Sequence, residues 1–179
     1  MPLYIFEGRK PKVGRTSYVH PTAVIIGKVT IGEQCFVGAG AVLRGDWGEI
    51  AVGDGSNIQE NAVLHAGPES VTVLSPNSHI GHGAILHGCF LEEHVLVGMG
   101  AIINDGARIG TGSILGSGAL VAPRTEIPPK SLAVGVPARV VKEITQMQED
   151  YAWAGTRLYQ TLPERYDGFL EEVSLHDCT

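Results

Sequence analysis

A large apolar residue recurs at every sixth position along most of the chain, with a small residue two positions before it and glycine often after it. This pattern predicts short strands joined by tight corners, with each large apolar side chain pointing inward. Three such strands close a triangular coil, and stacked coils pair strand on strand at a spacing of roughly 4.8 Å. The repeat positions run in four groups: Ile31, Val37 and Leu43; Val52, Ile58 and Leu64; Ile80 and Leu86; and, after a five-residue step, Leu91, Val97, Ile103, Ile109, Leu115 and Val121.

Two segments interrupt the rhythm, at residues 44–51 and 66–79, and segments that leave a repeat scaffold tend to carry function. The repeats end at Pro128-Pro129, and the apolar spacing over 141–160 predicts an α-helix that packs back along one flat face. We therefore expect a β-helix domain over 1–140, followed over 141–179 by the helix and a polar tail.

Composition and charge exclude several classes of partner. The chain has 179 residues, a net charge of −6 and only 13 basic residues without a basic run, which argues against nucleic acid and acidic lipid as partners. No apolar stretch approaches the ~18 residues of a membrane span, and the N-terminus lacks a signal core, so we expect a cytoplasmic protein. Three cysteines suit no disulfide framework, and Cys35 and Cys89 occupy the small corner position of the repeat.

Three of the seven histidines fall in matched register. His65 and His87 each follow a repeat position directly, so they stack at one corner if residues 66–79 occupy a single face. His82 belongs to the preceding face and points from another edge. In a three-fold trimer, His82 of one subunit would meet His65 and His87 of its neighbour, and three imidazoles with an open position are typical of catalytic zinc. The remaining histidines lack this register and are expected at the surface or in loops: His20, His79, His94 and His176.

Four segments resemble the γ-class carbonic anhydrase family: RGDWG at 44–48, NIQENAVLH at 57–65, GHGAILHGC at 81–89 and VGMGAIINDGA at 97–107. AWAGTRLYQTL at 152–162 is further similar to the branch named for phenylacetic-acid degradation and carnitine metabolism. The resemblance covers about residues 10–140. It implies a left-handed parallel β-helix of hexapeptide repeats with a C-terminal α-helix, assembled as a homotrimer.

The resemblance also implies a metal site. His65, His82 and His87 would be the ligands of a zinc ion shared between subunits, although imidazoles suit iron and cobalt as well. The metal-bound hydroxide would hydrate CO2 to bicarbonate, which makes the protein a lyase.

Four more residues match the family's pattern around this metal. Arg44 and Asp46 would pair at the subunit interface, and Asn57 and Gln59 would orient the bound water or the substrate. Other interpretations stay open, because the ion pair can simply lock subunits together and the two amides can simply bond the backbone of a turn.

The chain also departs from the pattern. Trp47 stands where the family carries a glutamate, and the 66–79 segment offers only Glu69 for proton transfer, so CO2 hydration would be slow. Two alternatives are therefore a metal-dependent acyl-CoA thioester hydrolase and a non-catalytic trimeric scaffold. An acyl-CoA:acceptor transferase shares the repeat and the GVPARVV ending at 135–141, but the three histidines argue against it.

Overall fold

The computed structural model describes residues 3–174 as a left-handed parallel β-helix of about 7 turns with helices after it, which confirms the predicted fold class. The strands in this range are β1 (Leu3–Tyr4), β2 (Lys12–Val13), β3 (Tyr18–Val19), β4 (Val24–Ile31), β5 (Phe36–Val37), β6 (Val42–Val52), β7 (Asn57–Ile58), β8 (Val63–His65), β9 (Val71–Leu74), β10 (His79–Ile80), β11 (Ile85–His87), β12 (Phe90–Leu91), β13 (Leu96–Val97), β14 (Ile102–Ile103), β15 (Arg108–Ile109), β16 (Ile114–Leu115), β17 (Leu120–Val121), β18 (Glu126–Ile127), β19 (Ser131–Val134) and β20 (Arg139–Glu143). Two helices follow: α1 (Gln146–Gln160) and α2 (Leu162–Phe169).

Parallel pairing between successive coils builds three flat faces. One runs through β6, β8, β11, β14 and β17, and a second through β6, β9, β12, β15 and β18. The third begins at β3 and continues through β5, β7, β10, β13, β16 and β19 to the antiparallel β20. The first two faces share the long strands β4 and β6, which bend around one corner. Residues 44–51, predicted as an interruption, are therefore continuous strand.

The predicted repeat positions form three buried ladders inside the helix. On the face of β8 and β11, for example, Leu43, Leu64, Leu86 and Ile103 stand in direct register from coil to coil, and each is fully buried. Small residues such as Ala41 and Cys35 fill the corners, as the pattern predicts. Burial of this continuous apolar column is the main stabilising contribution to such a solenoid.

The C-terminal helix begins later than predicted. Residues 139–143 form β20, which pairs with β19, and Thr145 then caps α1. The Thr145 hydroxyl accepts the Gln148 amide at 3.3 Å while the Gln148 side chain accepts the Thr145 amide at 3.0 Å, which forms a capping box. The tail forms the second helix, α2, and its last residues, 175–179 with His176, lie outside the described range.

Specific side chains dock α1 onto the third face. His94 lies in a turn, one of the two places predicted for it, but it is buried and stacks on Trp153 with ring centroids 3.6 Å apart. Gln160 Nε2 donates to the Gly55 carbonyl at 3.0 Å and to Asn77 Oδ1 at 2.9 Å. Within residues 3–174, neither helix has the length and apolar character needed to cross a membrane.

Candidate functional site

The corner between the first two faces gathers the side chains of greatest chemical interest. Arg44 in β6, His65 at the end of β8 and His87 at the end of β11 stand in direct register over three coils. This register confirms that the two histidines stack at one corner. The pairing of β8 with β11 fixes the backbone positions of both histidines.

Four side chains at this corner form a continuous line, which we call the histidine line: Asp46, His65, His87 and Asp105. Asp46 Oδ1 lies 3.2 Å from His65 Nε2, and His65 Nδ1 lies 3.0 Å from His87 Nε2. His87 Nδ1 in turn lies 2.7 Å from Asp105 Oδ1. Every imidazole nitrogen of the pair therefore has a partner, and a carboxylate stands at each end.

The number of protons on the two rings decides how many of the three contacts in the histidine line are hydrogen bonds. A neutral imidazole carries one N–H, so two neutral rings supply two protons to three contacts. One additional proton satisfies all three contacts, because both carboxylates and one ring nitrogen then act as acceptors. The arrangement therefore has a hydrogen-bonding place for one more proton, which a general base requires.

The surroundings of His65, burial above all, favour its neutral form before it accepts that proton. Burial lowers the pKa of His65, and the hydrogen bond to Asp46 only partly opposes this effect. Burial by itself would raise the pKa of Asp46, but hydrogen bonds from Arg44 and His65 outweigh it and hold that pKa below its usual value. The Arg44 guanidinium lies 2.7 Å from the Asp46 carboxylate, so the predicted ion pair is present. Asp46 is therefore a charged acceptor.

His82 does not join this corner within the chain. Its Nδ1 lies 2.6 Å from Glu60 Oε2. Together with Gln59 it lines a separate cavity of about 400 Å³ between the third face and α1. The wall of this cavity is largely apolar, with Leu96, Met99 and Leu158 among its lining residues.

The two amides predicted to orient a substrate are buried in a network of their own. Gln59 Nε2 lies 3.0 Å from Asn57 Oδ1 and 2.7 Å from His79 Nε2, while Asn57 Nδ2 lies 3.2 Å from His79 Nδ1. Burial lowers the pKa of His79 to about 4, so this imidazole is neutral at pH 7. Tyr159 of α1 closes over it with ring centroids 5.3 Å apart.

Two members of these networks were not found from the sequence. His79 was expected at the surface or in a loop, yet it lies in β10 and its ring nitrogens contact both predicted amides. Asp105 was also missed. It comes 18 residues after His87, but the coil between them steps by 17, so it lies one position past the one in register with His87. The six-residue period places Asp105 near this corner but does not show that its carboxylate reaches His87. Gly88 leaves space for the contact, because a Cβ there would collide with the Asp105 carboxylate.

Comparison with known proteins points to transferases. The bacterial transferase hexapeptide repeat (six repeats) matches residues 10–45 and 88–123, and the hexapeptide repeat of succinyl-transferase matches 28–66. The carnitine operon protein CaiE of Escherichia coli (strain K12) is 40% identical over 99% of this chain and 88% of its own length.

Two solved structures agree with this grouping. A candidate acetyltransferase of Bacillus cereus is 33% identical with a TM-score of 0.92 over 94% of this chain and 98% of its own. A hexapeptide transferase family protein of Anaplasma phagocytophilum is 36% identical with a TM-score of 0.88 over the same shares, 94% and 98%.

These similarities contradict the predicted activity. The matching repeat models and both solved structures are named for transferases, so the predictions of a γ-class carbonic anhydrase, of a lyase and of CO2 hydration are wrong. The zinc prediction is wrong as well. His65 and His87 direct their ring nitrogens at each other and at carboxylates, and within residues 3–174 no three His, Cys, Asp or Glu side chains are grouped to hold a metal ion.

Proposed function

Because the chain belongs to the family of bacterial hexapeptide-repeat transferases, we propose that it transfers an acyl group from an acyl-CoA thioester to a hydroxyl or amine acceptor. The relatives support an acyl group, since succinyl and acetyl groups appear in their descriptions. Coenzyme A is the general carrier of such groups. The observation that carries the proposal is the histidine line, with two imidazoles in series between two carboxylates.

The reaction needs one proton to be moved twice. The acceptor's oxygen or nitrogen attacks the thioester carbonyl and gives its proton to the imidazole pair, and the carbon–sulfur bond then breaks. The departing thiolate takes that proton back as the thiol. Asp46 and Asp105 hold the rings in place and stabilise the extra positive charge while the pair is protonated.

We assign the contact with the acceptor to His87. Its side chain is 36% exposed, whereas that of His65 is 11% exposed, so a substrate reaches His87 more easily. His65 lies behind it and extends the line to the buried side of the corner. Removing the His87 imidazole should therefore abolish the base while leaving the Asp46–Arg44 pair intact.

The test is acceptor-dependent release of free thiol from acetyl-CoA and succinyl-CoA. The curated relatives carry the name carnitine operon protein, so carnitine, which has a hydroxyl group, is the first acceptor to try, followed by amines. We expect His87→Asn to lower kcat by at least about 100-fold, the usual contribution of a general base. The same substitution at His20, on the first coil, should leave kcat unchanged. A full rate in His87→Asn would refute the assignment of the base.

We further propose that the working protein is a homotrimer, the usual state of this family. A single chain leaves several large apolar side chains in contact with solvent, among them Ile5, Trp47, Val136 and Met147. Where such side chains form a contiguous patch, they are typical of a surface that contacts another protein. Three-fold assembly would cover part of it.

A further inference from the structure

Thr72 is a polar residue placed where the coil otherwise buries apolar side chains. It lies in β9, in register with Ile50 of the preceding coil, and its side chain is fully buried. A buried hydroxyl costs stability unless it is hydrogen-bonded, so its partners explain why it is tolerated.

Both partners of Thr72 belong to the backbone beside the histidines. Its hydroxyl donates to the His65 carbonyl at 2.6 Å and accepts the Gly88 amide at 2.8 Å. The Gly88 amide also lies 3.2 Å from the same His65 carbonyl. The three atoms thus form a closed triangle, in which the hydroxyl makes the two shorter contacts.

This triangle joins the two strands at the points where the imidazoles leave them. His65 is the last residue of β8, and Gly88 directly follows His87, the last residue of β11. Because each ring is attached next to a backbone group that Thr72 holds, a change in the triangle changes the separation of the rings, now 3.0 Å from Nδ1 to Nε2. Proton transfer between two such side chains is sensitive to a displacement of about 1 Å.

We propose that Thr72 is a positioning residue that keeps His65 and His87 within hydrogen-bond distance. The inference rests on the proposed function only for its effect on rate, since the geometry of the pair can be measured without any substrate. Thr72 itself touches no reacting atom, and it acts through the two histidines.

A matched control exists elsewhere in the solenoid. Ser113 is also fully buried, and its hydroxyl donates to the Pro128 carbonyl at 2.7 Å and accepts the Ser131 amide at 3.1 Å. The chemistry of this bridge is the same, but neither of the two coils that it joins carries a histidine beside it. Loss of the Ser113 hydroxyl therefore reports the general cost of breaking such a bridge.

The experiment compares Thr72→Val, Thr72→Ser and Ser113→Ala. Long-range 1H–15N NMR of the imidazoles should show shifted His65 and His87 resonances in Thr72→Val and wild-type resonances in Thr72→Ser and Ser113→Ala. In the acyl-transfer assay, Thr72→Val should lower kcat by about 10- to 100-fold with little change in KM, and Thr72→Ser should restore it. Ser113→Ala should lower the melting temperature without changing kcat.

Two results would overturn the proposal: unshifted His65 and His87 resonances in Thr72→Val, or equal shifts in Ser113→Ala. If the resonances shift as expected while wild-type protein transfers no acyl group to any acceptor, the positioning role stands and the proposed function fails. The NMR measurement thus separates the two.

Discussion

Replacing His79 with glutamine should make the stability of the protein less sensitive to acid. In the folded protein, burial and the neighbouring His82 and His94 lower the pKa of His79 from 6.5 to about 4. In the unfolded chain the imidazole is surrounded by water and keeps its ordinary pKa. The two states therefore bind different numbers of protons over this pH range.

The sign and size of the effect follow from that difference. Above pH 6.5 both states hold a neutral imidazole, and His79 contributes no pH dependence. Between pH 6.5 and about 4 the unfolded chain takes up a proton that the folded protein refuses, so the free energy of unfolding falls as the pH falls. At about 1.4 kcal/mol for each pKa unit, the loss is about 2 kcal/mol at pH 5 and about 3 kcal/mol once both states are protonated.

Urea unfolding at fixed protein concentration, measured at pH 7, 6 and 5, tests this reasoning. Between pH 7 and pH 5, the free energy of unfolding should fall by about 2 kcal/mol more in the wild type than in His79→Gln. Gln59→Met is the control, because it removes a hydrogen bond from the same network but no titratable group, and its pH dependence should follow the wild type. If the free energy of unfolding depends on pH in the same way for the wild type and His79→Gln, His79 is not held neutral by burial.

Two further predictions concern the core and the assembly. Burial raises the pKa of Cys89 to about 12, so iodoacetamide at pH 8 should modify this thiol in denaturant but not in the native protein. Peptide mass mapping measures the modification, and equal modification in both conditions would contradict the burial of Cys89. Light scattering after gel filtration should give three times the mass of the chain, and a monomer at micromolar concentration would refute the proposed trimer.

The fold could be predicted because the sequence repeats its structural information in every coil. Ile58, Leu64, Leu86 and Ile103 each occupy the inward position that the six-residue period assigns to them. The stacking of His65 and His87 followed from the same period. The start of α1 was predicted too early, because residues 139–143 complete a sheet edge that helical periodicity does not reveal.

The chemistry was harder to predict because it depends on which atoms face each other. Three histidines in register are equally compatible with a shared ion and with a hydrogen-bonded pair. The structure distinguishes the two arrangements because the carboxylates of Asp46 and Asp105 contact the outer ring nitrogens of the pair. His79 was predicted at the surface or in a loop because nothing in its local sequence shows that Tyr159, 80 positions later, covers it.

The most direct test of the account is to identify the product. Incubating the purified protein with isotopically labelled acetyl-CoA and carnitine, or an amine acceptor, and analysing the mixture by mass spectrometry should show one labelled acetyl group on the acceptor. Formation of this product should depend on the imidazole of His87. Labelled acetate alone, released at the same rate with and without acceptor, would contradict acyl transfer.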